Sequence, residues 1–454
     1  MGKLIRIFER TQSFNFLSPQ NEYSLYRSSF LSTELALIYQ GIPWQELVLS
    51  FGLKDNRHGP DSLFSPQGKL ALMFLKSYTN FSDWKLIESL NGNIHYQMFC
   101  GVLLKAGDGL KDFKIVSRIR TELGHRLDVQ QCQQVFAHAW KPYMNQTHVM
   151  MEDATCYETQ MRYPTNVKLL WESVDWMYHQ IALICKHCKI RMPRSKYLDQ
   201  KQKYFNYQRK RKKLSKERIK RTRSLLLLLD KLSGLLDELE QQLSERLDMP
   251  GKYYLRRKVI RKVYRQQLEM FRTCESIPDR IVSLSKSYIR PIVRGKEVKK
   301  VEFGAKVNTI QIDGFNFIEH LSFNAFNEGT RLKQSVWCVR DLFGNITHLA
   351  ADAIYATNAN RSYCTEKHIT TNFKRKGRAG KYEDQRQVIS RELNKERATR
   401  MEGSFGTEKE HYSLQRIKAR TEQNEVLWIF FGIHTANLAR LAQRIKTKQQ
   451  AKVA

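Results

Sequence analysis

The chain is short of acidic residues. Its 45 Asp and Glu face 77 Lys and Arg, leaving a formal net charge of +32 over 454 residues. Such an excess repels itself unless a polyanion answers it, so nucleic acid is the leading partner, ahead of a merely solubilising basic surface or a ribosome-associated role. Long apolar runs are also missing. No stretch approaches the ~18 residues of a membrane span, and the start, Met1-Gly2-Lys3-Leu4-Ile5-Arg6, has no apolar signal core. These shortages predict a soluble intracellular protein. Cysteine is scarce as well: eight in a chain this long make no disulfide framework. Cys185 and Cys188 form one C-x-x-C, but no second pair at metal-ligand spacing follows. Zinc is therefore not expected, and reduced thiols are the default.

What is present suffices for a sizeable core, with 41% hydrophobic and 11% aromatic residues. At roughly 150 residues per domain, the length suits about three domains. Residues 1–145 read as helical. Ser65-Pro66 is a helix start, since serine caps orphan N–H groups and proline suits the first turn. Asp83 to Leu90 forms a short helix ended by Asn91-Gly92-Asn93, and Ile115 to Trp140 supplies a longer helical stretch. Residues 186–285 read as a basic helical insertion centred on Arg209, Lys210, Arg211, Lys212 and Lys213, with Tyr204, Phe205 and Tyr207 just before them. These cations suit phosphates, while the rings can stack or pack. A plain solvated face is the competing reading. Leu225, Leu229, Leu232, Leu236, Leu239 and Leu243 make a heptad seam, for a dimer or for a helical hairpin closed by Tyr253 to Cys274. The return helix favours the hairpin.

Residues 146–185 and 286–446 carry the strand signals. His148 to Asp153 ends in acids, Phe303 to Ile312 meets an Asp313-Gly314 turn, and Phe315 to Phe323 returns antiparallel. A helix over Thr330 to Leu342, a strand Ile346 to Asp352 and a long helical region over 383–446 follow, with Trp428-Ile429-Phe430-Phe431 as core. The order matches an RNase H-like mixed sheet, in an α/β fold with flanking helices, an N-terminal helical domain and a helical insertion. There the ends of the first and fourth strands lie side by side. Asp153, Asp352 and a helical Glu402 could then converge as hard oxygen ligands, suited to Mg²⁺ or Mn²⁺.

Several short segments carry a family resemblance. They include Phe64-Ser65-Pro66-Gln67-Gly68-Lys69, Tyr163-Pro164-Thr165-Asn166, Arg294-Gly295-Lys296, Asn327-Glu328-Gly329, Ala351-Asp352-Ala353-Ile354-Tyr355 and Glu402-Gly403-Ser404-Phe405-Gly406. In this order the chain resembles the DDE transposases of bacterial insertion sequences, over about 64–440. The resemblance implies a catalytic and metal-binding triad of Asp153, Asp352 and Glu402, probing DNA ends and target as a homodimer in a cytoplasmic, nucleoid-associated setting. The family's signature helix often carries a tyrosine and an arginine before the glutamate and a lysine seven residues after it. Lys409 fits the lysine. The arginine position falls on Ala398, with Arg397 and Arg400 nearby, the tyrosine position holds Lys395, and a lysine that commonly follows the second aspartate is here Ala353.

Rival carboxylates receive other roles. Glu152 should face away from Asp153 on a regular strand, Glu408 lies almost two turns beyond Glu402, Asp313 is foremost a turn residue, and His348 reads as structural. Arg400 and Lys409 stand close enough in sequence to Glu402 to contact the DNA backbone. The expected activity is metal-dependent cleavage and strand transfer with two ions roughly 3.5–4 Å apart. The alternatives are a catalytically inactive transposase-derived DNA-binding protein and an RNase H-like nuclease without strand transfer.

Overall fold

The computed structural model describes residues 5–6, 20–55, 62–104, 109–243, 248–293 and 301–453. The quoted segment Arg294-Gly295-Lys296 lies outside them. Two compact units emerge: residues 1–160, 305–322 and 326–454 form one, and residues 161–304 with 323–325 form the other.

The first unit opens with strand β1 (Ile5–Arg6) and helices α1 (Gln20–Leu31), α2 (Glu34–Gln40), α3 (Trp44–Ser50), α4 (Pro66–Thr79), α5 (Asp83–Gly92) and α6 (Ile94–Phe99). Strand β2 (Val102–Leu103) then pairs antiparallel with β1. Ser65 caps α4 as its sequence predicts, its Oγ accepting from Gly68 N at 2.9 Å. The helical stretch expected from Ile115 to Trp140 is two helices, α7 (Lys114–Gly124) and α8 (Val129–Trp140). Asp128 makes the break, because its side chain accepts from Gln131 N at 3.0 Å and starts a new helix.

Strand β3 (Val149–Glu158) follows in this unit. Helices α9 (Asn166–His187), α10 (Tyr197–Arg209), α11 (Ser215–Gln242) and α12 (Gly251–Thr273) belong to the second unit. There the leucine seam closes internally: Leu225, Leu229, Leu232, Leu236 and Leu239 are buried with Met177 and Ile181 of α9 and Ile260 of α12. Each such side chain contributes ~1.5–3 kcal/mol on burial, which accounts for the hairpin without a second chain. Tyr204 and Tyr207 are buried in the same core, and Tyr204 stacks on Trp171 at 4.8 Å, so these rings pack and do not present faces to bases. A short strand β4 (Pro291–Val293) pairs antiparallel with the first residues of β5 (Val301–Ile312).

In the first unit, β5 continues beside β6 (Phe315–Ser322) through a turn at Asp313 (φ 48°) and Gly314 (φ 85°). Two consecutive positive φ values are what a two-residue hairpin of matching twist demands, and Asp-Gly supplies them. Then come α13 (Leu332–Phe343), β7 (His348–Ala351), α14 (Asn358–Glu366), β8 (Thr370–Thr371), α15 (Glu383–Glu396), α16 (Gly403–His411) and α17 (Glu422–Val453). The strand order β6-β5-β3-β7-β8, with β3, β7 and β8 parallel, is that of an RNase H-like core. Ile429, Phe430 and Phe431 of α17 are buried, and Phe431 meets Phe74 of α4 at 4.7 Å; Trp428 is only partly covered. No helix among the described residues is long and apolar enough to cross a membrane.

Candidate active site

Strands β3 and β7 run parallel with Met151 level with Ala350 and Glu152 level with Ala351. One further step along each strand reaches Asp153 and Asp352. Strand β7 ends at Ala351, and Asp352 caps the short helical turn that follows, its Oδ1 accepting from Ala353 N at 2.7 Å. Asp153 Oδ1 likewise accepts from Ala154 N at 2.7 Å.

The helix carrying Glu402 lies over this strand pair. Leu393, Met401 and Phe405 pack on Met151 and Ala350, the residues two pairs earlier in the ladder. Between α15 and α16 the backbone widens into a π-helical turn, Arg397–Glu402. In regular α-helix, residues five apart lie about 140° apart around the axis. An i→i+5 winding returns them to one side. Arg397 therefore faces Glu402, with Nη2 at 3.2 Å from Glu402 Oε1, while its Nη1 donates to Asp153 Oδ2 at 3.0 Å. A single guanidinium thus spans two of the three carboxylates that the sequence selects.

Burial pushes the Asp153 carboxyl up to about 6; the Ala154 N–H and Arg397 oppose the rise, and the nearby charges of Asp352 and Glu328 add to it. Glu328 is a fourth carboxylate at this end of the sheet. It is held by Lys306 at 3.1 Å, and its loop is pressed against the Asp352 loop. A Cβ at Gly329 would come within 2.5 Å of the Ile354 carbonyl oxygen, so only glycine permits that approach. Asn360 Nδ2 ties the two loops by donating to the carbonyls of Gly329 (2.6 Å) and Tyr355 (2.8 Å).

The remaining selected residues are placed as follows. Lys409 donates from Nζ to Thr155 Oγ1 at 2.8 Å, and Thr155 shares a strand face with Asp153. Arg400 points elsewhere: its Nε meets Glu396 at 2.6 Å and its Nη1 approaches Asp313 at 3.9 Å. Arg209, Lys210, Arg211, Lys212 and Lys213 are exposed in the second unit, with Lys210 paired to Glu217 at 2.9 Å and Lys213 over the Tyr207 ring. Glu152 is fully buried on the other face of β3, where Ser335 Oγ and Asn308 Nδ2 donate to it. Glu408 is also buried, accepting from Tyr157 Oη and Asn316 Nδ2. Both are internal carboxyls that hold elements together. Asp313 anchors its turn by accepting from Asn145 N at 2.8 Å and Arg444 Nη1 at 2.6 Å.

Asp153, Asp352 and Glu402 offer only carboxylate oxygens, which suits a hard divalent cation. The place between Asp153 and Glu402 is already bridged by a cation, the Arg397 side chain. Among the described residues no three His, Cys, Asp or Glu side chains stand together as a ready metal-ligand group. The donor chemistry suits a hard cation, and Arg397 occupies two of the three carboxylates. Sequence reasoning left the arginine position open between Arg397 and Arg400, and the structure puts Arg397 on Asp153 and Glu402. Sequence reasoning passed over Glu328 although Asn327-Glu328-Gly329 was among the quoted segments.

Neither the curated proteins nor the solved structures compared with the chain yield a match. Residues 349–438, which include β7, Asp352, the π-turn and Glu402, match the family model described as transposase DDE domain. With that match and the RNase H-like strand order, residues 349–438 are similar to the DDE domain of transposases.

Proposed function

We propose that the protein cleaves the DNA ends of an insertion sequence and joins them to target DNA, using Asp153, Asp352 and Glu402. The observation that carries this reading is the parallel register of β3 and β7, which sets Asp153 and Asp352 level beneath the helix of Glu402. Water attacks the phosphodiester at the element's end and frees a 3′-hydroxyl. That hydroxyl then attacks a target phosphodiester, and the 3′ oxygen of the target strand leaves with the proton. Bound divalent ions, Mg²⁺ or Mn²⁺ and two by the chemistry of such sites, supply charge neutralisation and Lewis acidity for both displacements.

The chain's own groups do the positioning. Asp153, Asp352 and Glu402 would hold the cations, and Arg397, which now bridges Asp153 and Glu402, would then be free to pair with a phosphate oxygen. Lys409, which donates to Thr155 on the Asp153 face of β3, steadies the scissile strand. Residues 1–145 serve as the helical DNA-binding domain, residues 146–185 and 286–446 as the catalytic domain, and residues 186–285 as an insertion. From that insertion Arg209, Lys210, Arg211, Lys212 and Lys213 grip phosphates with little base readout, as does Arg400. Pairing two element ends calls for a homodimer.

The test is Asp352→Ala on DNA bearing the element's own ends. It should abolish Mn²⁺-dependent nicking and leave binding of the ends intact. Retained nicking would refute the site, and nicked but never joined products from the parent protein would make it a nuclease without strand transfer.

A further inference from the structure

Behind the Glu402 helix lies a second cleft, of about 860 Å³, floored by the Asp313-Gly314 turn and walled by the π-turn, α16 and the end of α17. Its lining includes four cations, Arg400, Arg440, Arg444 and Lys448, against one carboxylate, Asp313. Three of the four are tied to acceptors of the protein. Arg444 donates to Asp313 Oδ2 and to the Asp313 and Tyr143 carbonyls, Arg400 is paired with Glu396, and Lys448 donates to the Pro142 carbonyl at 2.6 Å. Arg440 has no hydrogen bond or ion pair among the described residues. Its guanidinium lies over Gly314, where an added Cβ would come within 3.0 Å of Nη1, so the glycine leaves room for it.

Burial lowers the Arg440 pKa, and the neighbouring Arg444 and Arg400 lower it further, against the opposing charge of Glu408. A planar donor of five N–H groups, crowded by like charges in a concavity, is an incomplete arrangement. An anion with several acceptor oxygens completes it.

We propose that this cleft binds the phosphodiester backbone of DNA, with Arg440 as its central donor, at a place separate from the carboxylate site. The proposal rests on the reading of the chain as a DNA-processing enzyme. Asp313 holds the flanking arginine in position, so that Arg440 is the group left for a phosphate oxygen. Exposed Thr447 and Gln443 at the rim let a duplex approach without reorganising the fold.

The experiment measures fluorescence anisotropy of a labelled mixed-sequence duplex with the full-length protein across a salt series. Arg440→Gln should weaken binding about tenfold and reduce the slope of log K against log salt by roughly 1, alike for duplexes of different sequence. An unchanged slope and affinity would overturn the proposal. A photo-crosslinking phenylalanine derivative in place of Thr447 gives a reading independent of Arg440. It should attach to the duplex on irradiation, with excess inorganic phosphate failing to prevent it. No attachment, or attachment abolished by phosphate alone, would mean that the cleft takes no DNA backbone. Asp352→Ala separates the two claims: lost nicking beside a parental slope in Arg440→Gln removes only the cleft, and persistent nicking beside a reduced slope removes only the carboxylate site.

Discussion

Arg397 and Glu402 are five residues apart yet in contact at 3.2 Å, because the helix between them winds as a π-turn. The same guanidinium reaches Asp153 at 3.0 Å. A cation of the protein therefore balances two acids that a divalent ion would otherwise have to balance.

Removing that counter-charge should make the site more dependent on added metal. Arg397→Ala is expected to melt at a lower temperature without metal, by on the order of 1–3 kcal/mol for a partly buried charge-assisted pair. Mn²⁺ should then raise its melting temperature by more than it raises the parent's, with Arg397→Lys in between. Equal Mn²⁺ shifts in scanning fluorimetry would mean that Arg397 and the ion do not compete.

Glu402 and Glu408 should separate cleanly in paired assays of nicking and melting. Glu402→Gln alters a half-exposed side chain and is expected to change stability by no more than about 0.5 kcal/mol while abolishing nicking. Glu408→Gln retains the shape and most of the hydrogen bonding with Tyr157 and Asn316, so nicking should survive. Glu408→Ala strands both partners and should cost about 2–4 kcal/mol. Nicking by Glu402→Gln would show that the wrong glutamate has been assigned to the reaction.

Glu152 makes stability depend on pH. Burial pushes its carboxyl from 4.5 up to about 8, with Ser335 and Asn308 opposing and Glu319 adding. An acid whose pKa is raised by folding binds its proton more tightly in the folded state. Its contribution is full below the unfolded pKa and fades as pH rises from 4.5 to about 8. The loss is at most ~1.4 kcal/mol per pH unit. Glu152→Gln, always neutral, should lack this slope, so the melting difference between variant and parent widens with pH. A constant difference between pH 5 and 8 would show that Glu152 ionises freely in the fold.

Much of this was legible from local signals. The Ser65 cap, the Asp313-Gly314 hairpin and the leucine seam are each specified by a few adjacent or periodic residues. Asp352 stood out because an apolar run stops there, and β7 does end just before it. Two readings missed for physical reasons. The helix expected over 115–140 breaks at Asp128, whose side chain competes for the backbone N–H of Gln131. The strand expected to end at Asp153 runs on to Glu158, since Ala154 to Tyr157 are still buried; of the two roles open to Tyr204 and Tyr207, packing holds, because Trp171 and the α11 seam bury them.

The sequence by itself determined the basic character, the broad order of strands and helices, and the carboxylates carried by the strands, since these follow from composition and short-range periodicity. Only the tertiary structure decided that Arg397 joins Asp153 to Glu402, that Glu328 borders the Asp352 loop, and that Arg440 has no hydrogen-bond partner among the described residues in its cleft. Those contacts depend on how one turn of helix winds and on which distant segments meet, and residues far apart along the chain carry no mark of their eventual neighbours.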